Sequence, residues 1–448
     1  MIESTKGALL EPVCWLSNGY NQIRSIRNRW RWMKSALLFG VGSAGDVFPF
    51  IALGKGLAAR GWQVSLCANP TFKEQVIRAG LAFEPLGTRE HYDRITRDPN
   101  LWHPRKGTRT ILADFQAMDM IRTQRDLARQ FAKKPGQRVV VASSLGFGAR
   151  VAQEETGVPM VTMHLAPLVL RCPVNPPRVP GGWLPNTLLR FAPRMAYKLV
   201  DRIADPLIGG AVEPLRAETG LPPVRRYLEG WWNSPDRVLL CFPDWFGPMP
   251  SRPDQARHVG FLQHDDDQSA ADLAPLWRFV ESGPPPVVAT FGSAMRQARW
   301  LLERFVKATA AMGARLVLLS KDSDQVPYPL PLHVFHATWA PMGDLLPKAA
   351  LLAHHGGIGT LARALAAGVP QLVIPFAHDQ HDNAHRVQWL GVGDYLTPRR
   401  ATFGSLTRML AYLLAEDQFQ AHAREWAGRF DPAAALREAC DLVEQAAR

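Results

Sequence analysis

The chain has 448 residues, 47% of them hydrophobic and 21% charged, which excludes an intrinsically disordered protein and gives enough length for two α/β domains. No apolar run reaches the roughly 18 residues of a membrane-spanning helix. The formal net charge of +12 is compatible with nucleic acid, an anionic membrane or a phosphorylated small molecule as a partner. Because the basic residues are dispersed and no DNA- or RNA-reading motif is present, we predict no nucleic-acid partner.

The five cysteines predict a reducing environment. They are scattered along the chain without a C-x-x-C pair, so neither a disulfide framework nor a zinc ribbon is indicated. We therefore expect a cytoplasmic protein.

The first residues differ in character from the rest of the chain. Residues 1–32 contain four arginines from Arg24 to Arg31, but neither the apolar core nor the cleavage site of a secretory signal. The segment is either a basic amphipathic arm that touches lipid, or it precedes a true start at Met33. The second interpretation is favoured because the first convincing strand begins at Ala36. We treat residues 1–34 as an extension.

The first half of the chain alternates strands with helices. Helices are predicted over 49–60, which stops at Gly61, and over 71–80, which ends at Gly80. Strands are predicted over 36–41, 63–67, 81–85, 138–142, 160–164 and 237–242. Such alternation predicts a parallel, doubly wound sheet. The stretch 167–245 is rich in proline and bulky apolar side chains, which form either an apolar binding surface or ordinary core helices. Residues 35–250 are assigned to this first domain.

The alternation restarts after a linker. The acidic run 265–267 is interpreted as solvated linker rather than as a metal site, because no second ligand cluster lies nearby. Helices are predicted over 296–312, 359–367 and from 403 to the end, and strands over 286–291, 315–320, 333–335, 349–353 and 371–374. Residues 251–448 are assigned to a second doubly wound domain. Ligands of such sheets bind beyond the carboxyl ends of the strands, so the glycine loops that follow strands are the candidate sites.

The stretch AHHGGIGTLARALAAGVPQLVIPF, residues 353–376, contains the richest of these loops. The side chains of His354 and His355 point to opposite faces of a strand, so the two imidazoles do not easily share one metal ion. Glycines between a strand and a helix let backbone N–H groups approach an anion, where the helix dipole favours phosphate. A phosphate site is therefore the preferred interpretation, with a tight turn required only for packing as the alternative.

A second histidine cluster follows. His378, His381 and His385 have the spacing i, i+3, i+7 that would place three imidazoles on one helical stripe. That stripe could hold a metal, but no H-E-x-x-H or comparable pattern accompanies it. We predict no metal and no cofactor.

These motifs resemble family 1 glycosyltransferases of the GT-B fold, in their bacterial and sterol branch. The resemblance covers the chain from about Ser35 to its end and is carried by GSAGDVFPFIALGKGLAARG, WAP, HHGGIGT and AAGVPQLVIPFAHDQ. It implies an α/β fold in which two Rossmann-like doubly wound domains face each other across a cleft. Within the family, GSAGDVFPF, VSLC, GGIGTLARALAAGVPQ and AHDQHDNAHR resemble most the catalytic rhamnosyltransferase subunits of rhamnolipid biosynthesis.

The resemblance implies a donor site in the second domain. It implies that Trp339 stacks on the nucleotide base, although a core tryptophan is the alternative, and that His354 contacts a donor phosphate. It further implies a phosphate loop formed by Gly356, Gly357, Gly359 and Thr360. Ser293 is implied as a second donor contact, and Asp379 with Gln380 as the pair that binds the sugar hydroxyls. Plant members carry a ribose-binding glutamate near the position of Ala362. Its loss is compatible with a deoxythymidine donor.

The match to GSxGD places Asp46 as the general base, which removes the proton of the acceptor hydroxyl. The alternative is that Asp46 only caps the following helix, and hydrogen bonds from backbone N–H groups would then lower its pKa and make it a poor base. His164 is a weaker candidate base, an orienting partner or a residue that lines the cleft.

The expected activity is metal-independent, inverting transfer of L-rhamnose from dTDP-L-rhamnose to a 3-(3-hydroxyalkanoyloxy)alkanoate. A hydrophobic acceptor and a basic protein suggest peripheral contact with the inner membrane and a partner enzyme that supplies the lipid. One alternative is transfer of glucose or another sugar to a sterol, polyketide or other hydrophobic alcohol. Another is an inactive binding partner in a membrane complex.

Overall fold

The computed structural model describes residues 33–179, 186–265, 272–292 and 295–448. The interpretations of residues 1–32, of Ser293 and of most of the acidic run therefore concern residues outside these ranges. No helix in the described ranges is long and apolar enough to cross a membrane.

The first sheet has seven parallel strands in the order β3-β2-β1-β4-β5-β6-β7. The strands are β1 (Lys34–Phe39), β2 (Gln63–Ala68), β3 (Ala82–Pro85), β4 (Gln137–Ser143), β5 (Met160–His164), β6 (Arg237–Leu240) and β7 (Ala256–His258). The central strand β1 pairs with β2 on one side and β4 on the other, so that Ala36 lies between Val64 and Val139. Apolar residues occupy both faces of β1, as expected for a sheet covered by helices on each side.

The second sheet has six parallel strands in the order β10-β9-β8-β11-β12-β13. They are β8 (Val287–Thr290), β9 (Leu316–Leu319), β10 (Val334–Ala337), β11 (Leu351–His354), β12 (Gln371–Val373) and β13 (Gly393–Tyr395). The predicted α/β class with two parallel, Rossmann-like sheets is confirmed. Two short strands, β7 and β13, were not predicted, because three residues are too few for a periodic pattern.

Sixteen helices connect and cover the sheets within the described ranges. Those of the first half are α1 (Ala44–Ala59), α2 (Lys73–Arg78), α3 (Arg89–Arg97), α4 (Gly107–Ala117), α5 (Met120–Ala132), α6 (Phe147–Thr156), α7 (Asn186–Phe191) and α8 (Pro193–Glu218). Those of the second half are α9 (Ala274–Glu281), α10 (Arg299–Ala311), α11 (Met342–Leu345), α12 (Ile358–Ala367), α13 (Gln380–Trp389), α14 (Phe403–Ala415), α15 (Asp417–Ala427) and α16 (Pro432–Ala446).

Helix α1 begins earlier than predicted, at Ala44 rather than at Pro49. Ser43 is its N-cap, and Asp46 at the third helical position accepts a hydrogen bond from the backbone N–H of Ser43 at 2.7 Å. This capping box extends the helix backwards through the glycine loop. It also places Asp46 at the carboxyl end of β1.

The last helix, α16, packs against the first sheet. Ala439 and Val443 share one apolar cluster with Leu53 and Leu57 of α1, and the indole N–H of Trp62 donates to Glu444 at 2.8 Å. The assignment of all residues after 250 to the second domain therefore needs correction, because β7 and α16 both join the first sheet. The amphipathic pattern of α16 predicts a buried face but not which of two cores buries it.

Candidate active site

The loops that follow β1 and β11 meet between the two sheets. A Cβ atom on Gly359 of α12 would lie 3.5 Å from the Cα of Gly45, so the two helix starts approach each other within van der Waals distance. Both loops lie at the carboxyl ends of parallel strands, where open α/β sheets bind their ligands. This contact places the predicted base of the first half beside the predicted donor loop of the second half.

Asp46 is held by its own helix cap. Its Oδ2 accepts from the backbone N–H of Ser43 at 2.7 Å and from the Ser43 hydroxyl at 3.0 Å. Burial nevertheless raises the pKa of Asp46, because its effect is larger than the lowering by the two hydrogen bonds. The capping alternative is thus correct in its geometry, but the low pKa expected from it is not found.

Asp379 is the second buried carboxylate of the cleft. It is the N-cap residue of α13 and accepts from the side-chain amide of Asn383 at 2.8 Å. Burial, and next the negative charge of Asp46, raise the pKa of Asp379 to about 7. The two carboxylates therefore influence each other across the cleft, and one of them retains a proton more easily than a solvated aspartate would.

Gln380 supports the loop before α13. Its Oε1 accepts from the backbone N–H groups of Phe376 at 2.8 Å and Ala377 at 3.2 Å. Asp379 and Gln380, the predicted sugar-binding pair, thus lie together at the start of α13. The side-chain amide oxygen of Gln380 already accepts hydrogen bonds from the protein backbone.

His354 shapes the turn of the glycine loop. It is fully buried, its Nδ1 accepts from the backbone N–H of Gly356 at 3.1 Å, and its Nε2 lies 3.0 Å from Oε1 of Gln371. Burial, followed by the neighbouring His355, lowers the pKa of His354 to about 3, so its ring is neutral at pH 7. Both ring nitrogens are occupied by protein. The contact of His354 with a donor phosphate stays a prediction, and it would require one of these two hydrogen bonds to be exchanged.

His355 lies between the two glycine loops of the second half. Its ring fills the space beside Gly292 and Gly357, where a Cβ atom on Gly292 would lie 2.7 Å from Cε1 of the ring. Burial lowers the pKa of His355 to about 4, and its Nδ1 is buried without a partner among the described residues. His355 therefore offers an unused polar atom between the loops after β8 and β11. Sequence reasoning missed it, although its place next to three glycines is the signal that would have found it.

The glycine loop ends at an uncapped helix start. Gly356 has φ of +93°, which favours glycine, and Gly357 is the N-cap of α12 without a side chain to accept from the first turn. Gly359 and Thr360 belong to that first turn. Its free N–H groups and the positive end of the helix dipole suit an anion, as predicted for a phosphate loop.

A segment of the first half covers this loop. The turn Pro99–Trp102 places the Trp102 ring edge-on to His378, with centroids 5.6 Å apart, and to His355 at 6.5 Å. The backbone carbonyl of Leu101 lies 2.9 Å from Nε2 of His378, and the indole N–H of Trp102 is buried without a described partner. The sequence did not indicate Trp102, because its turn has no motif of its own.

The predicted histidine stripe does not form. His378 precedes α13 with φ of +56° and points to the first half of the chain, whereas His385 lines a surface cavity. Among the residues that the structure describes, no three His, Cys, Asp or Glu side chains are grouped to hold a metal ion.

His164 lies in the core rather than on the cleft. It is fully buried, with Nδ1 at 2.9 Å from the Ser144 hydroxyl and Nε2 at 2.7 Å from Oδ1 of Asn233. Burial lowers the pKa of His164 to about 4. Because both ring nitrogens have protein partners, the geometry favours a structural role over that of a base.

Two further positions, Trp339 and Ala362, enter the predictions about the donor nucleotide. Trp339 is half-buried in the loop between β10 and α11, a position at which its ring remains accessible to a ligand. Ala362 faces the core from α12 and carries no hydrogen-bonding group.

Comparison with known proteins identifies the family. Residues 36–172 match the glycosyltransferase family 28 N-terminal domain, and residues 303–435 match the C-terminal domain described as erythromycin biosynthesis protein CIII-like. The glycosyltransferase GtfC of Amycolatopsis orientalis is 30% identical over 435 residues, which cover 91% of this chain and 98% of GtfC. The chain belongs to the GT-B glycosyltransferases.

Solved structures share the fold of this glycosyltransferase. The glycotransferase of kitacinnamycin superposes with a TM-score of 0.71 at 20% identity, covering 93% of this chain and 100% of the other. VinC, solved in complex with dTDP, superposes with a TM-score of 0.64 at 21% identity, covering 92% and 99%. The expected GT-B architecture is thereby confirmed.

The two adjacent histidines of the glycosyltransferase provide a matched test. We expect His355→Ala to weaken binding of a nucleoside diphosphate about 10- to 100-fold, because a hydrogen bond to a charged group is worth roughly 1.5–3 kcal/mol. His354→Ala should mainly lower the free energy of unfolding, since it leaves Gly356 and Gln371 without their partner. Calorimetric titration with dTDP and UDP, and urea unfolding, measure the two effects. Normal nucleotide affinity in His355→Ala would exclude this contact.

The raised pKa of Asp379 predicts a pH dependence of stability. Because the folded state binds this proton more tightly than the unfolded chain, the free energy of unfolding should fall as the pH rises from about 4 to 7 and then level off. Asp379→Asn removes this pH dependence. The free energy of unfolding of the variant, relative to that of the parent protein, should therefore increase over the same pH range. Urea unfolding at pH 4.5, 6 and 8 measures it. Asp254→Asn, at an exposed carboxylate, is the control, and a parallel curve for Asp379→Asn would contradict the assignment.

Proposed function

We propose that this glycosyltransferase moves L-rhamnose from dTDP-L-rhamnose to a 3-(3-hydroxyalkanoyloxy)alkanoate lipid, with inversion and without a metal ion. The observation that carries the proposal is the pair of buried carboxylates, Asp46 and Asp379, beside the contact of the two glycine loops. One carboxylate comes from each half of the chain. Such an arrangement suits a reaction between two substrates that are bound by different halves.

Asp46 is the proposed base. As the acceptor oxygen bonds to the anomeric carbon, its proton passes to the Asp46 carboxylate, and the bond from that carbon to the phosphate oxygen breaks to release dTDP. A raised pKa makes a carboxylate a stronger base, and positioned general bases contribute about 10²- to 10⁴-fold. Direct displacement of a β-linked donor gives an α-L-rhamnoside.

The second half is the proposed donor site. The diphosphate is assigned to the first turn of α12, with the buried Nδ1 of His355 beside it, so its charge is balanced by preorganised dipoles. Trp339 is assigned to stacking on the nucleotide base, Asp379 to binding of the sugar hydroxyls, and Ser293 to a second contact with the donor. The dTDP in VinC supports a deoxythymidine nucleotide, whereas Ala362 faces the core and does not bear on the ribose.

A cavity of about 390 Å³ is the proposed acceptor pocket. It lies between the segment 175–178 of the first half and helix α13, and Leu189, Pro248 and Trp389 give it apolar walls. Asp382 also lines it, and the charge of Asp382 acts on Asp379, so the cavity is next to the sugar-binding end of the cleft. The cavity combines these apolar walls with charged side chains, including Arg178, Arg190 and Arg386, so it suits an amphiphilic alcohol such as the proposed hydroxyacid lipid. The enzyme is then proposed to work in the cytoplasm at the inner membrane, with a partner enzyme that supplies the lipid.

A second candidate is transfer of glucose or another sugar to a polyketide, sterol or similar aglycone. Support for it comes from the vancomycin aglycone glucosyltransferase of Amycolatopsis orientalis, 29% identical to this chain over 401 residues, and from the glycotransferase of kitacinnamycin. The two candidates share the class of reaction and differ in both substrates.

A transfer assay separates these candidates. The purified protein is offered dTDP-L-rhamnose or UDP-glucose, with a 3-(3-hydroxyalkanoyloxy)alkanoate acceptor and EDTA throughout, and products are detected by mass spectrometry. We expect a deoxyhexose to be added to the lipid from the thymidine donor only. Transfer from UDP-glucose alone, or to a polyketide or sterol but not to this lipid, would refute the rhamnosyl proposal and support the second candidate.

Replacement of Asp46 tests the mechanism. We expect Asp46→Asn to lower kcat about 10²- to 10⁴-fold while donor affinity is retained, because the proton acceptor is lost and the donor loop is not touched. Ser43→Ala is the matched control, since it removes one hydrogen bond of the same cap but leaves the carboxylate. Initial rates and dTDP titration measure both. Equal, small losses of kcat in the two variants would show that Asp46 only caps α1.

A further inference from the structure

The outer surface of α7 and α8 carries two parallel rows of side chains with a spacing of four residues. The apolar row consists of Phe191, Met195, Leu199 and Ile203, and the basic row consists of Arg190, Arg194, Lys198 and Arg202. Positions four apart lie on the same face of a helix, so Met195, Leu199 and Ile203 form one row within α8 and Arg194, Lys198 and Arg202 form the other. Arg190 and Phe191 lie at the end of α7, before the non-helical residue Ala192. We call these eight residues the α8 face.

The apolar row of the α8 face is exposed to solvent. Phe191 is 79% exposed, Met195 58%, Leu199 39% and Ile203 41%. These side chains are not needed for packing, because the opposite side of the same helices buries Leu189, Ala196 and Tyr197 in a cluster of its own. A contiguous exposed apolar row on a soluble fold indicates an interaction site.

The basic row of the α8 face is not neutralised by the protein. None of its four cations forms an ion pair with a residue that the structure describes. The acidic residues of α8 are instead engaged elsewhere, with Asp201 accepting from Arg171 at 2.9 Å and Asp205 accepting from the backbone N–H of Arg226 at 2.8 Å. Four positive charges therefore remain beside the apolar row.

From this geometry we infer that the α8 face docks onto an anionic lipid surface. Lysine and arginine beside phenylalanine and leucine on one helix are the composition of helices that lie in a membrane interface, where the cations bind lipid phosphates and the apolar side chains enter the acyl boundary. None of the eight residues of the α8 face is acidic, so the face complements a uniformly negative surface such as the phosphates of anionic lipids.

The α8 face continues into the cavity proposed for the acceptor. Leu189 and Arg190 line the cavity, together with Trp389, which is 58% exposed. Docking would therefore place the cavity at the lipid surface, where a hydrophobic acceptor is concentrated. This last step rests on the proposed function, whereas the docking itself depends only on the α8 face.

Vesicle flotation of the full chain tests the docking without any transfer reaction. Vesicles of phosphatidylcholine with 30% phosphatidylglycerol are compared with pure phosphatidylcholine, at 0.1 M and 0.5 M NaCl. We expect binding to the anionic vesicles, weakened by salt. The triple variant Arg194→Gln/Lys198→Gln/Arg202→Gln should lower the partition coefficient about 100-fold, since each surface cation contributes about fivefold. Arg190 is left unchanged because it lines the cavity.

Two further variants complete the design. Met195→Gln/Leu199→Gln/Ile203→Gln should also lose binding, with unchanged net charge and unchanged urea unfolding. The control variant Arg399→Gln/Arg400→Gln/Arg408→Gln, at exposed positions of the second half, makes the same change in net charge. It should retain binding to the anionic vesicles. Equal losses in both arginine variants would reduce the effect to overall charge and overturn the inference. Parent-like binding by both α8 variants would overturn it too, as would self-association that is lost only in the apolar variant, which would assign the face to a second copy.

The proposed function and the docking can fail separately. A parent protein that floats with anionic vesicles but transfers no sugar retains the docking and refutes the rhamnosyl proposal. A parent protein that transfers rhamnose to a dispersed lipid acceptor but ignores anionic vesicles at low salt retains the function and refutes the docking.

Discussion

The site depends on the burial of two carboxylates that face each other between two sheets. Asp46 is held by the cap of α1 and Asp379 by Asn383 at the start of α13, so neither relies on a ligand for its position. Low solvent access makes their charges interact strongly, and the pKa of both is raised. A carboxylate with a raised pKa beside an uncapped helix start is the arrangement on which the proposed base and the proposed anion site both rest. The close contact of Gly45 with Gly359 keeps these two functions adjacent.

The two neighbouring histidines differ in their partners. His354 is the last residue of β11. Its Nδ1 accepts from the glycine loop, and its Nε2 lies beside Gln371 of β12. His355 lies on the opposite face of the backbone and reaches the space left by Gly292 and Gly357. The alternation of side chains along a strand therefore decides which imidazole is available. A backbone donor such as Gly356 then pins the ring that points inward.

Contacts between the halves place the site. Helix α16 returns from the second half to the first sheet, where Trp62 and Arg60 bind its acidic residues. On the other side, the turn at Trp102 covers the loops of the second half through His378 and His355. The cleft is thus spanned at both sides by segments that belong to the opposite half. The face for which membrane docking is proposed belongs to a third segment, α7 and α8, whose outer side chains are not part of the cores of the two sheets.

The sequence by itself determined the class of the protein and the loops that carry its chemistry. Alternating strands and helices, glycine at helix ends and the motifs around Asp46 and Asp379 are local patterns, so they can be recognised without the fold. Local patterns do not contain the partners of a side chain. The role of His355, the burial that raises the pKa of Asp46, the place of Trp102 and the return of α16 all depend on residues far away in the chain. Only the tertiary structure decided them, because burial and pairing arise when both sheets are packed together.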